Sequence, residues 1–533
     1  MSDPRVDVHL EVHLMKLLLQ TIALLMLVMS ASAADVEPGK PPNILLILVD
    51  DMGYSDLGCY GGEIHTPVID GLAANGLRYS QFYNSARCVP SRAAILSGYY
   101  AQQINRDSVL ELKGNRARPK WAPLLPKYLR RAGYRSYHSG KWHIDGKPMG
   151  NGFDRTLDLI ERHSFFECKD LFKDGKRIEA KDGFYATTAV ADHVIEVLKE
   201  HQTHHADKPF FSYVAFTAPH FPLHALPEDI ERVGDRYKAG WDAIRNQRWE
   251  RLLKLGLGKG SLSKVEYDQG PPFDFSEQLE ILGDGEVDRP VPWNDLTDKQ
   301  KEFQQVKMKI HAAMVERLDI EVGRIIQQLQ AMNVFEDTVI LFLSDNGASA
   351  EMLVRGRGHD PEAAPGSAGS YLCLGPGWST VANTPFRKHK VWAHEGGSCT
   401  PLIVHWPKQI SEAGAIRETP GHVIDMVPSI LDLADATPAK KKVPFPGQSL
   451  LPSFKKDTGE ARTLWWSHRR NDALRNGDWK LVKPNDGPWE LYNLKSDRAE
   501  ATDLAAQFPE KVKELEKQWD AQVAQFRQVR KLK

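Results

Sequence analysis

The sequence predicts an α/β fold, in which a large and mostly parallel β-sheet is sandwiched between helices. Two apolar runs support this prediction, at residues 43–51 and 338–347, and each of them ends in polar residues. Because a strand buried on both faces has an unbroken apolar sequence, both runs are typical of central strands in a parallel sheet. A helical segment over residues 301–332 precedes the second run, and strands that alternate with helices form sheets of this kind.

Three further segments extend the predicted sheet, at residues 134–143, 209–220 and 400–407. The functional residues of such sheets gather beyond the carboxyl ends of the strands. Polar residues lie at the ends of the two apolar runs and of the segments at 134–143 and 209–220. We therefore expect these residues to lie close together, namely Asp50, Asp51, Lys141, His143, His220, Asp345 and Asn346.

Two long connections interrupt the alternation of strands and helices. Residues 225–300 carry mixed charge and tryptophans, and residues 355–383 are rich in Gly, Ser and Pro. Long connections of this composition predict surface excursions. A helix over residues 419–436 is expected to close the main domain.

The C-terminal part of the chain has a different pattern. After a stretch rich in Pro and Lys at residues 438–456, short segments separated by polar turns predict antiparallel strands, and residues 508–526 predict an amphipathic helix. The sequence therefore predicts two domains, a main domain over residues 43–437 and a small C-terminal α+β domain over residues 457–533.

The composition excludes several classes of function. The chain has 533 residues and a formal net charge of −1, and it contains no basic block that would favour a nucleic acid. Five cysteines are too few and too scattered for a disulfide framework, although one disulfide stays open.

The N-terminal region has the layout of an export signal. Residues 15–33 contain a lysine, a short apolar run and a small-residue end, as secretory signals do. Residues 1–14 carry acids and histidines, and we interpret them as an upstream extension, with Met15 as the true start. The apolar run is too short to span a bilayer comfortably and no cysteine follows it, so no membrane anchor is expected. The protein is therefore predicted to be exported, either to the periplasm or as a secreted protein.

Two pairs of oxygen donors end the two most apolar runs. Asp50 and Asp51 follow the first run, and Asp345 and Asn346 follow the second. Acids at the end of a single strand are ordinarily solvated or cap the next helix. Two such pairs at one edge of a sheet favour a shared hard cation instead, since ligation by oxygen alone suits Ca²⁺ or Mg²⁺ and disfavours zinc or copper.

The segment "CVPSRAAILSG", residues 88–98, places a thiol at the start of a predicted helix. A lone cysteine is ordinarily a small buried hydrophobe. Pro90 suits the first turn of a helix, however, so Cys88 lies at an N-terminus, where the backbone amides favour negative charge. Arg87 and Arg92 add positive charge. The segment therefore predicts an anion site, or an activated group at position 88.

Four basic residues complete the set of candidates. His143 and His220 would each be an ordinary core histidine if taken singly, and Lys141 and Lys390 ordinary surface lysines. Together with a cation and an anion-binding helix end, they favour the hydrolysis of an anionic ester.

Five motifs resemble the sulfatase family, and they occur in the order that the family has. The segment at residues 88–98 resembles the first sulfatase signature, and "GYRSYHSGKWH" resembles the second. The segments "LLILVDDMGYSDLGCYGG" and "FLSDNG" resemble the two metal-binding strands. "TPFRKHKVWAHEGG" resembles the segment with the sulfate-contacting lysine, which corresponds to Lys390. The resemblance runs from about residue 43 to about residue 504, and the loop before Lys390 resembles arylsulfatases.

This resemblance implies an alkaline-phosphatase-like catalytic domain over residues 43–437 and the release of inorganic sulfate from an aryl or carbohydrate sulfate ester. It further implies that a formylglycine-generating enzyme converts Cys88 into 3-oxoalanine, the aldehyde known as formylglycine. One hydroxyl of the hydrated aldehyde attacks sulfur, and the second provides the route by which sulfate is expelled.

The resemblance also implies a role for each candidate residue. His220 protonates the leaving oxygen, and His143 removes the proton from the second hydroxyl. Arg92 orients the hydrated aldehyde, and Lys141 and Lys390 hold the sulfate oxygens. The cation, Ca²⁺ in preference to Mg²⁺, would be held by Asp50, Asp51, Cys88 in its converted form, Asp345 and Asn346.

Two alternative functions stay open at this point. A phosphate or phosphonate monoester hydrolase of the same superfamily would share the sheet and the metal strands, but normally carries Ser or Thr as its nucleophile. A non-catalytic binder of sulfated glycans would result if Cys88 were never converted.

Overall fold

The computed structural model describes residues 40–160, 164–270, 274–356, 358–436, 438 and 442–532. The predicted signal at residues 15–33 and the predicted extension at residues 1–14 lie outside the described residues. Pro42–Lys533 form one compact unit, and the division into domains at 43–437 and 457–533 stays a prediction. Among the described residues, no helix combines the length and apolar character that crossing a membrane requires.

The strands of the described chain belong to two sheets. They are β1 (Asn43–Val49), β2 (Leu77–Tyr83), β3 (Arg135–Gly140), β4 (Arg155–Leu159), β5 (Leu171–Lys173), β6 (Lys176–Ile178), β7 (Phe210–Ala215), β8 (Thr338–Ser344), β9 (Cys399–His405), β10 (Ala415–Arg417), β11 (Gly421–His422), β12 (Thr463–His468), β13 (Asn471–Asn476), β14 (Trp479–Lys483) and β15 (Glu490–Asn493).

The α-helices of the described chain lie between and around these strands. They are α1 (Pro67–Ala74), α2 (Cys88–Ser97), α3 (Leu125–Leu129), α4 (Ala186–His204), α5 (Pro227–Val233), α6 (Gly240–Lys254), α7 (Ser276–Leu282), α8 (Asp298–Ala331), α9 (Gly375–Ala382), α10 (Glu395–Ser398), α11 (Met426–Leu433), α12 (Leu451–Lys455) and α13 (Pro509–Arg530).

The large sheet has the strand order β10-β2-β9-β8-β1-β7-β3-β4-β5-β6, with β11 also paired to β2. Its central strands β8, β1, β7, β3 and β4 are mutually parallel. Strand β9 runs antiparallel to both β2 and β8, and the edge strands β5 and β6 are antiparallel to their neighbours. The prediction of a large and mostly parallel sheet is therefore confirmed.

Helices cover both faces of the large sheet, as the apolar runs predict. Leu45 and Ile47 of β1 belong to one apolar layer, while Leu46 and Leu48 belong to the other. Because successive side chains of a strand point to opposite faces, one unbroken apolar strand supplies both layers. Helices α4 and α8 pack into the first layer, and α2, α3 and α11 pack into the second.

The long connection at residues 225–300 is largely folded, and its prediction as a surface excursion is wrong for α6. Trp241 of α6 packs edge-to-face on Trp293 and Trp378, with ring centroids 4.8 and 5.7 Å away. Trp378 belongs to α9, within the second predicted excursion. All three rings are buried. The two connections therefore build an aromatic core of their own, which composition alone does not reveal.

The predicted helix at residues 419–436 forms only in its second half. Gly421 and His422 pair with β2 as β11, and a 3-10 turn at Val423–Asp425 leads into α11. His422 accepts a hydrogen bond from the amide of Ile424 at 3.2 Å and so caps this turn. Sheet pairing thus takes precedence over helix formation in the first half.

The C-terminal sheet has the order β12-β13-β14-β15 and is antiparallel throughout, which confirms the predicted small C-terminal sheet and helix. Helix α13 packs on it, with Trp519 stacked on Trp465 at a centroid distance of 5.6 Å. The sequence analysis missed β12, a strand of six residues in which only Leu464, Trp465 and Trp466 are apolar.

Buried neutral histidines make the stability of this fold sensitive to acid. Burial lowers the pKa of His193 and His224 to about 4 and that of His138 and His422 to about 3. An unfolded chain protonates histidine near pH 6.5. Between that pH and the lowered pKa the unfolded state binds more protons than the folded state, so the stability present above pH 6.5 is lost as the pH falls toward 4.

We expect His193→Gln to reduce this acid sensitivity. His193 contacts the Ser139 hydroxyl at 2.7 Å, and Gln can retain a hydrogen bond there while never taking up a proton. The loss of unfolding free energy between pH 7 and pH 5, measured by urea titration, should be smaller in the variant by about 2 kcal/mol. Equal losses in the two proteins would show that His193 is not buried in its neutral form.

Candidate active site

Four oxygen-donor residues meet at the carboxyl ends of β1 and β8. The two strands are parallel, and Val49 lies opposite Ser344 in their register. Asp50 and Asp51 follow β1 directly, and Asp345 and Asn346 follow β8 directly. All four side chains are buried. The proximity that the sequence predicts for these residues is present, because the strands are neighbours in the sheet.

Three oxygens in this group are left without hydrogen-bond partners in the described part of the chain. They are Oδ1 of Asp50, Oδ1 of Asp345 and Oδ1 of Asn346, and each is buried. Ligand atoms of Asp50, Cys88 and Asp345 lie within 4.8 Å of one another. Buried polar atoms are ordinarily paired, so three unpaired oxygens at one point fit a hard cation.

Arg92 holds the two acidic strand ends together. Its Nε donates to Asp345 at 2.7 Å and its Nη2 to Asp50 at 3.2 Å, while Nη1 donates to the Lys141 carbonyl at 2.8 Å. The side chains of Arg92 and of both acids are completely buried. Arg92 therefore fixes α2, β1, β3 and β8 relative to one another at the site.

The two paired acids differ in their proton affinity. Burial, together with the neighbouring negative charge of Asp50, raises the pKa of Asp345 to about 7. Burial acts in the same direction on Asp50, but the charges of Lys141 and other cations hold its pKa well below the ordinary value. A divalent cation between them would favour the ionised form of both.

Cys88 is the first residue of α2 and is 3% exposed. Arg87 precedes the helix in an extended conformation, and the Ser91 hydroxyl accepts a hydrogen bond from the amide of Ser85 at 2.9 Å. Burial raises the pKa of the Cys88 thiol, and the positive charge of Lys141 opposes this only in part. Arg92, one of the two arginines expected to make this helix end electropositive, is paired with Asp345 and Asp50, and the thiol itself is not activated as a thiolate.

Lys390 connects the acids to the predicted bases. Its Nζ donates to Asp51 at 2.9 Å and lies 3.4 Å from Nε2 of His220. The same Nζ forms an ion pair with Glu351 at 2.9 Å. The Nζ of Lys141 forms an ion pair with the neighbouring acid, Asp50. Lys141, His220 and Lys390 therefore converge on the acidic group, as the sequence predicts.

His220 has a defined tautomer in this arrangement. Its Nδ1 lies 2.5 Å from the carbonyl of Phe221, so Nδ1 carries the proton and Nε2 faces the site. Burial lowers the pKa of His220 to about 4. An anion bound beside Nε2 would raise this value, since a negative charge favours imidazolium.

His143 follows the carboxyl end of β3. It lies two residues after Lys141, in a left-handed conformation with φ 53°, and its side chain is partly exposed. Chain connectivity brings it to the carboxyl end of β3, where the sequence predicts it. Its catalytic role stays a prediction.

Sequence reasoning missed Glu351. This acid pairs with Lys390 at 2.9 Å and with Arg87 at 3.6 Å, and Lys390 helps to hold its pKa below the ordinary value although burial acts against this. No spacing pattern marks Glu351 as functional, because its partners lie 39 residues later and 264 residues earlier in the chain.

The segment around Lys390 is fixed by contacts at both ends. The amide of Lys390 donates to Ala348 at 3.1 Å, and the amide of Val391 donates to the carbonyl of Ala86 at 2.7 Å. Val391 has a φ of 89°, which is strained for a β-branched residue. These bonds place the lysine between the segment that precedes Cys88 and the segment that follows Asn346.

The C-terminal sheet also helps to hold the segment that carries Lys390. Arg387 donates to Glu490 of β15 at 3.1 Å and to Glu266 at 2.6 Å. Farther along, Glu395 forms buried ion pairs with Lys480 of β14 at 2.8 Å and with Arg498 at 2.6 Å. The segment that carries Lys390 is therefore held by charges from the second sheet.

Comparison with known protein families identifies the sulfatase family. The sulfatase family model matches residues 42–436, and a model described as "N-sulphoglucosamine sulphohydrolase, C-terminal" matches residues 386–529. The two matches overlap at the segment that carries Lys390.

Individual relatives agree with the family match. An uncharacterized sulfatase of Schizosaccharomyces pombe is 30% identical over 90% of this chain and 93% of its own length. An arylsulfatase of Klebsiella aerogenes is 29% identical over 79% of this chain and 93% of its own length. The solved structure of Ps i-CgsB in complex with k-i-k-neocarrahexaose has a TM-score of 0.65 at 23% identity, covering 90% of this chain and 92% of that one.

We expect the acidic group to bind one hard divalent cation per chain. Asp345→Asn keeps an acceptor for Arg92 but removes one charge, and it should weaken Ca²⁺ binding at least tenfold, as measured by calcium titration with elemental analysis. Asp337→Asn is the matched control, because Asp337 forms an exposed ion pair with Lys408 at 2.6 Å and should leave binding unchanged. Stoichiometric zinc in the wild-type protein would contradict the assignment.

Proposed function

The chain belongs to the sulfatase family and is a sulfate ester hydrolase, and on this premise we propose that it releases sulfate from aryl or carbohydrate esters by means of a formylglycine made from Cys88 and a bound Ca²⁺. The observation that carries the proposal is the convergence of three unpaired acidic and amide oxygens, the N-terminus of α2 and Lys390 at one point. A cation, a helix N-terminus and lysines can together bind the sulfate group and stabilise the negative charge that develops on its oxygens and on the leaving oxygen.

The donor set supports Ca²⁺ in preference to transition metals. Asp50, Asp51, Asp345 and Asn346 supply only oxygens, and the Oδ1 atoms of Asp50, Asp345 and Asn346 have no other partner in the described chain. Asp51 is engaged differently, since its Oδ1 accepts from Asn346 at 2.7 Å and its Oδ2 from Lys390. When bound, Ca²⁺ would neutralise negative charge on the sulfate oxygens.

The surroundings of Cys88 support its conversion. A buried thiol with a raised pKa is a poor nucleophile at neutral pH. Formylglycine in its hydrated form would supply a hydroxyl nucleophile and a route for releasing the sulfate. A formylglycine-generating enzyme is therefore a proposed partner, and conversion would take place before or during export.

Lys390, Lys141 and Arg92 would bind and orient the reacting groups. Lys390 and Lys141 each pair with one carboxylate of the β1 end, Lys390 with Asp51 and Lys141 with Asp50. A bound sulfate could accept from both ammonium groups, since each retains further donors. Each of the three side-chain nitrogens of Arg92 donates to Asp50, to Asp345 or to the Lys141 carbonyl, so its proposed role is to hold the acids in place.

His220 would move a proton at Nε2. Its Nδ1 donates to Phe221, which leaves Nε2 to face Lys390 and Asp51. Binding of the anionic ester would raise the pKa of this imidazole from about 4 and allow Nε2 to carry the proton that the leaving oxygen receives. His143 is proposed to remove the proton that accompanies sulfate release.

The proposed location follows from the signal predicted at residues 15–33. We propose that the protein is exported and acts in the periplasm or outside the cell.

The decisive experiment compares wild type with Cys88→Ser in a host whose modifying enzyme accepts only cysteine. The serine hydroxyl can attack sulfur, but the resulting sulfate ester has no second hydroxyl through which to eliminate. The variant should retain covalent sulfate on the peptide that contains residue 88 and release less than one equivalent of sulfate from 4-nitrophenyl sulfate. Mass spectrometry of that peptide and an assay of free sulfate measure the two outcomes.

Cys373→Ser is the matched control, because Cys373 is also buried but lies outside the acidic group. It should turn over like wild type and carry no sulfate. Wild-type peptide should react with a hydrazine probe for aldehydes. Full activity with an unmodified thiol at position 88 would overturn the proposal.

A further inference from the structure

Glu351 is a buried carboxylate at the candidate active site that the proposed reaction does not use. It is 5% exposed. Its Oε2 lies 2.9 Å from the Nζ of Lys390, and its Oε1 lies 3.6 Å from Nη1 of Arg87. Ser349 fixes its direction, because the Ser349 hydroxyl donates to Oε2 at 3.1 Å and accepts from the Glu351 amide at 3.1 Å. The carboxylate is therefore held between two cationic side chains.

Lys390 does not need this second carboxylate for neutrality. Its Nζ already donates to Asp51 at 2.9 Å, and each further buried carboxylate carries a desolvation cost. Arg87 does not account for Glu351 either, since a contact of 3.6 Å is too long for a hydrogen bond and Nη1 of Arg87 has no such partner in the described chain. The negative charge of Glu351 is therefore directed at Lys390, the residue proposed to hold the sulfate.

Glu351 is ionised in this position. Burial acts to raise the pKa of Glu351, but the charges of Lys390 and Arg87 together lower it below its ordinary value. Glu351 therefore contributes a full negative charge beside the proposed sulfate-binding lysine at neutral pH.

This charge completes a balance among the ion pairs of the site. The paired carboxylates are four in number, those of Asp50, Asp51, Asp345 and Glu351. The cationic side chains paired with them are also four, those of Arg87, Arg92, Lys141 and Lys390. Without Glu351 the group would have one more positive charge in excess, whatever cation the acids bind. Glu351 therefore lowers by one unit the positive charge that an anionic substrate meets.

Sulfate and phosphate monoesters differ in their charge. A sulfate monoester carries one negative charge, whereas a phosphate monoester carries nearly two above its second pKa of about 6. Because Coulomb energy is proportional to the charge of the ligand, each positive charge at the site favours the dianion about twice as strongly as the monoanion. Lowering the positive charge by one unit therefore disfavours phosphate more than sulfate, and a competitor can be excluded in this way.

We propose that Glu351 is a specificity-determining residue, whose buried negative charge beside Lys390 favours singly charged sulfate monoesters over doubly charged phosphate monoesters. This inference rests on the proposed function. Glu351 acts through the charge that it places beside Lys390, and Lys390 itself contacts the substrate.

The test compares three esters that share the leaving group 4-nitrophenol, at pH 8. 4-Nitrophenyl sulfate and 4-nitrophenyl phenylphosphonate each carry one negative charge, and 4-nitrophenyl phosphate carries two. The phosphonate separates the charge of the ester from the replacement of sulfur by phosphorus. Release of 4-nitrophenol gives kcat/KM for each ester, and wild type should prefer the sulfate over the phosphate.

Glu351→Gln should raise kcat/KM for the phosphate relative to the sulfate by at least about tenfold, while the phosphonate changes in parallel with the sulfate. Gln has the same shape and keeps an acceptor for Lys390. Arg87→Gln breaks the same ion pair but removes a positive charge, so it should shift the preference in the opposite direction. Shifts in the same direction, or a parallel rise of phosphate and phosphonate in Glu351→Gln, would overturn the proposal.

Three further variants separate charge from structure. Glu351→Met removes the same charge without burying an amide and should reproduce the shift, which keeps the test decisive if Glu351→Gln does not fold. Glu351→Asp retains the charge and should retain the wild-type preference. Glu266→Gln is the matched control, because Glu266 likewise pairs with an arginine and a lysine, Arg387 at 2.6 Å and Lys388 at 2.8 Å. An equal shift in Glu351→Asp or Glu266→Gln would indicate a structural role and refute the inference.

A binding measurement distinguishes this inference from the proposed function. Calorimetric titration of Cys88→Ala reports its affinity for 4-nitrophenyl sulfate and 4-nitrophenyl phosphate without turnover. Adding Glu351→Gln should tighten phosphate binding at least about tenfold more than sulfate binding. If wild type hydrolyses no sulfate ester and the titration shows this difference, the proposed function fails and the selectivity stands. If wild type is active and the two affinities change equally, or neither ester binds, only the role of Glu351 is refuted.

Discussion

The burial of three carboxylates at one point is the constraint on which the rest of the site depends. Asp50, Asp51 and Asp345 are nearly inaccessible to water, and like charges in such a place repel strongly. Arg92, Lys141 and Lys390 each pair with at least one of them, yet one oxygen each of Asp50, Asp345 and Asn346 has no hydrogen-bond partner in the described chain. A divalent cation bound to these oxygens would leave the group with an excess of positive charge. That excess would favour an anionic ester, so the proposed binding of the metal and of the substrate are parts of one electrostatic arrangement.

The second sheet is part of the active site, although its strands lie far from the acids in sequence. Lys390 lies in the loop between α9 and α10. Its segment is held by the bond of Arg387 to Glu490 and by the buried ion pairs of Glu395 with Lys480 and Arg498. Removing one partner of a buried pair leaves an uncompensated charge, at a cost of about 3–5 kcal/mol. The position of Lys390 and the folding of the C-terminal sheet are therefore coupled.

Apolar runs were enough to predict the central sheet and the proximity of Asp50, Lys141 and Asp345, because strand ends in a parallel sheet meet at one edge. The place of Lys390 was implied only by the family resemblance. The sequence was less informative wherever burial depends on pairing between distant residues. Arg248 of α6 is buried only because Asp56 and Glu63 neutralise it, so its segment resembled a solvated excursion. Glu351 gave no signal for the same reason. Within the helix predicted at residues 419–436, Gly421 and His422 pair with β2 instead. The sequence did not reveal this pairing, because β2 lies more than 300 residues earlier.

The central claim is that one cation and one sulfate occupy adjacent places in a single buried group. A crystal structure of the exported protein, grown with calcium and inorganic sulfate, tests it most directly. We predict a cation bound by Oδ1 of Asp50, Asp345 and Asn346, with the sulfate between residue 88 and the Nζ of Lys390. A cation bound mainly by histidines, or a sulfate bound away from residue 88, would contradict the account.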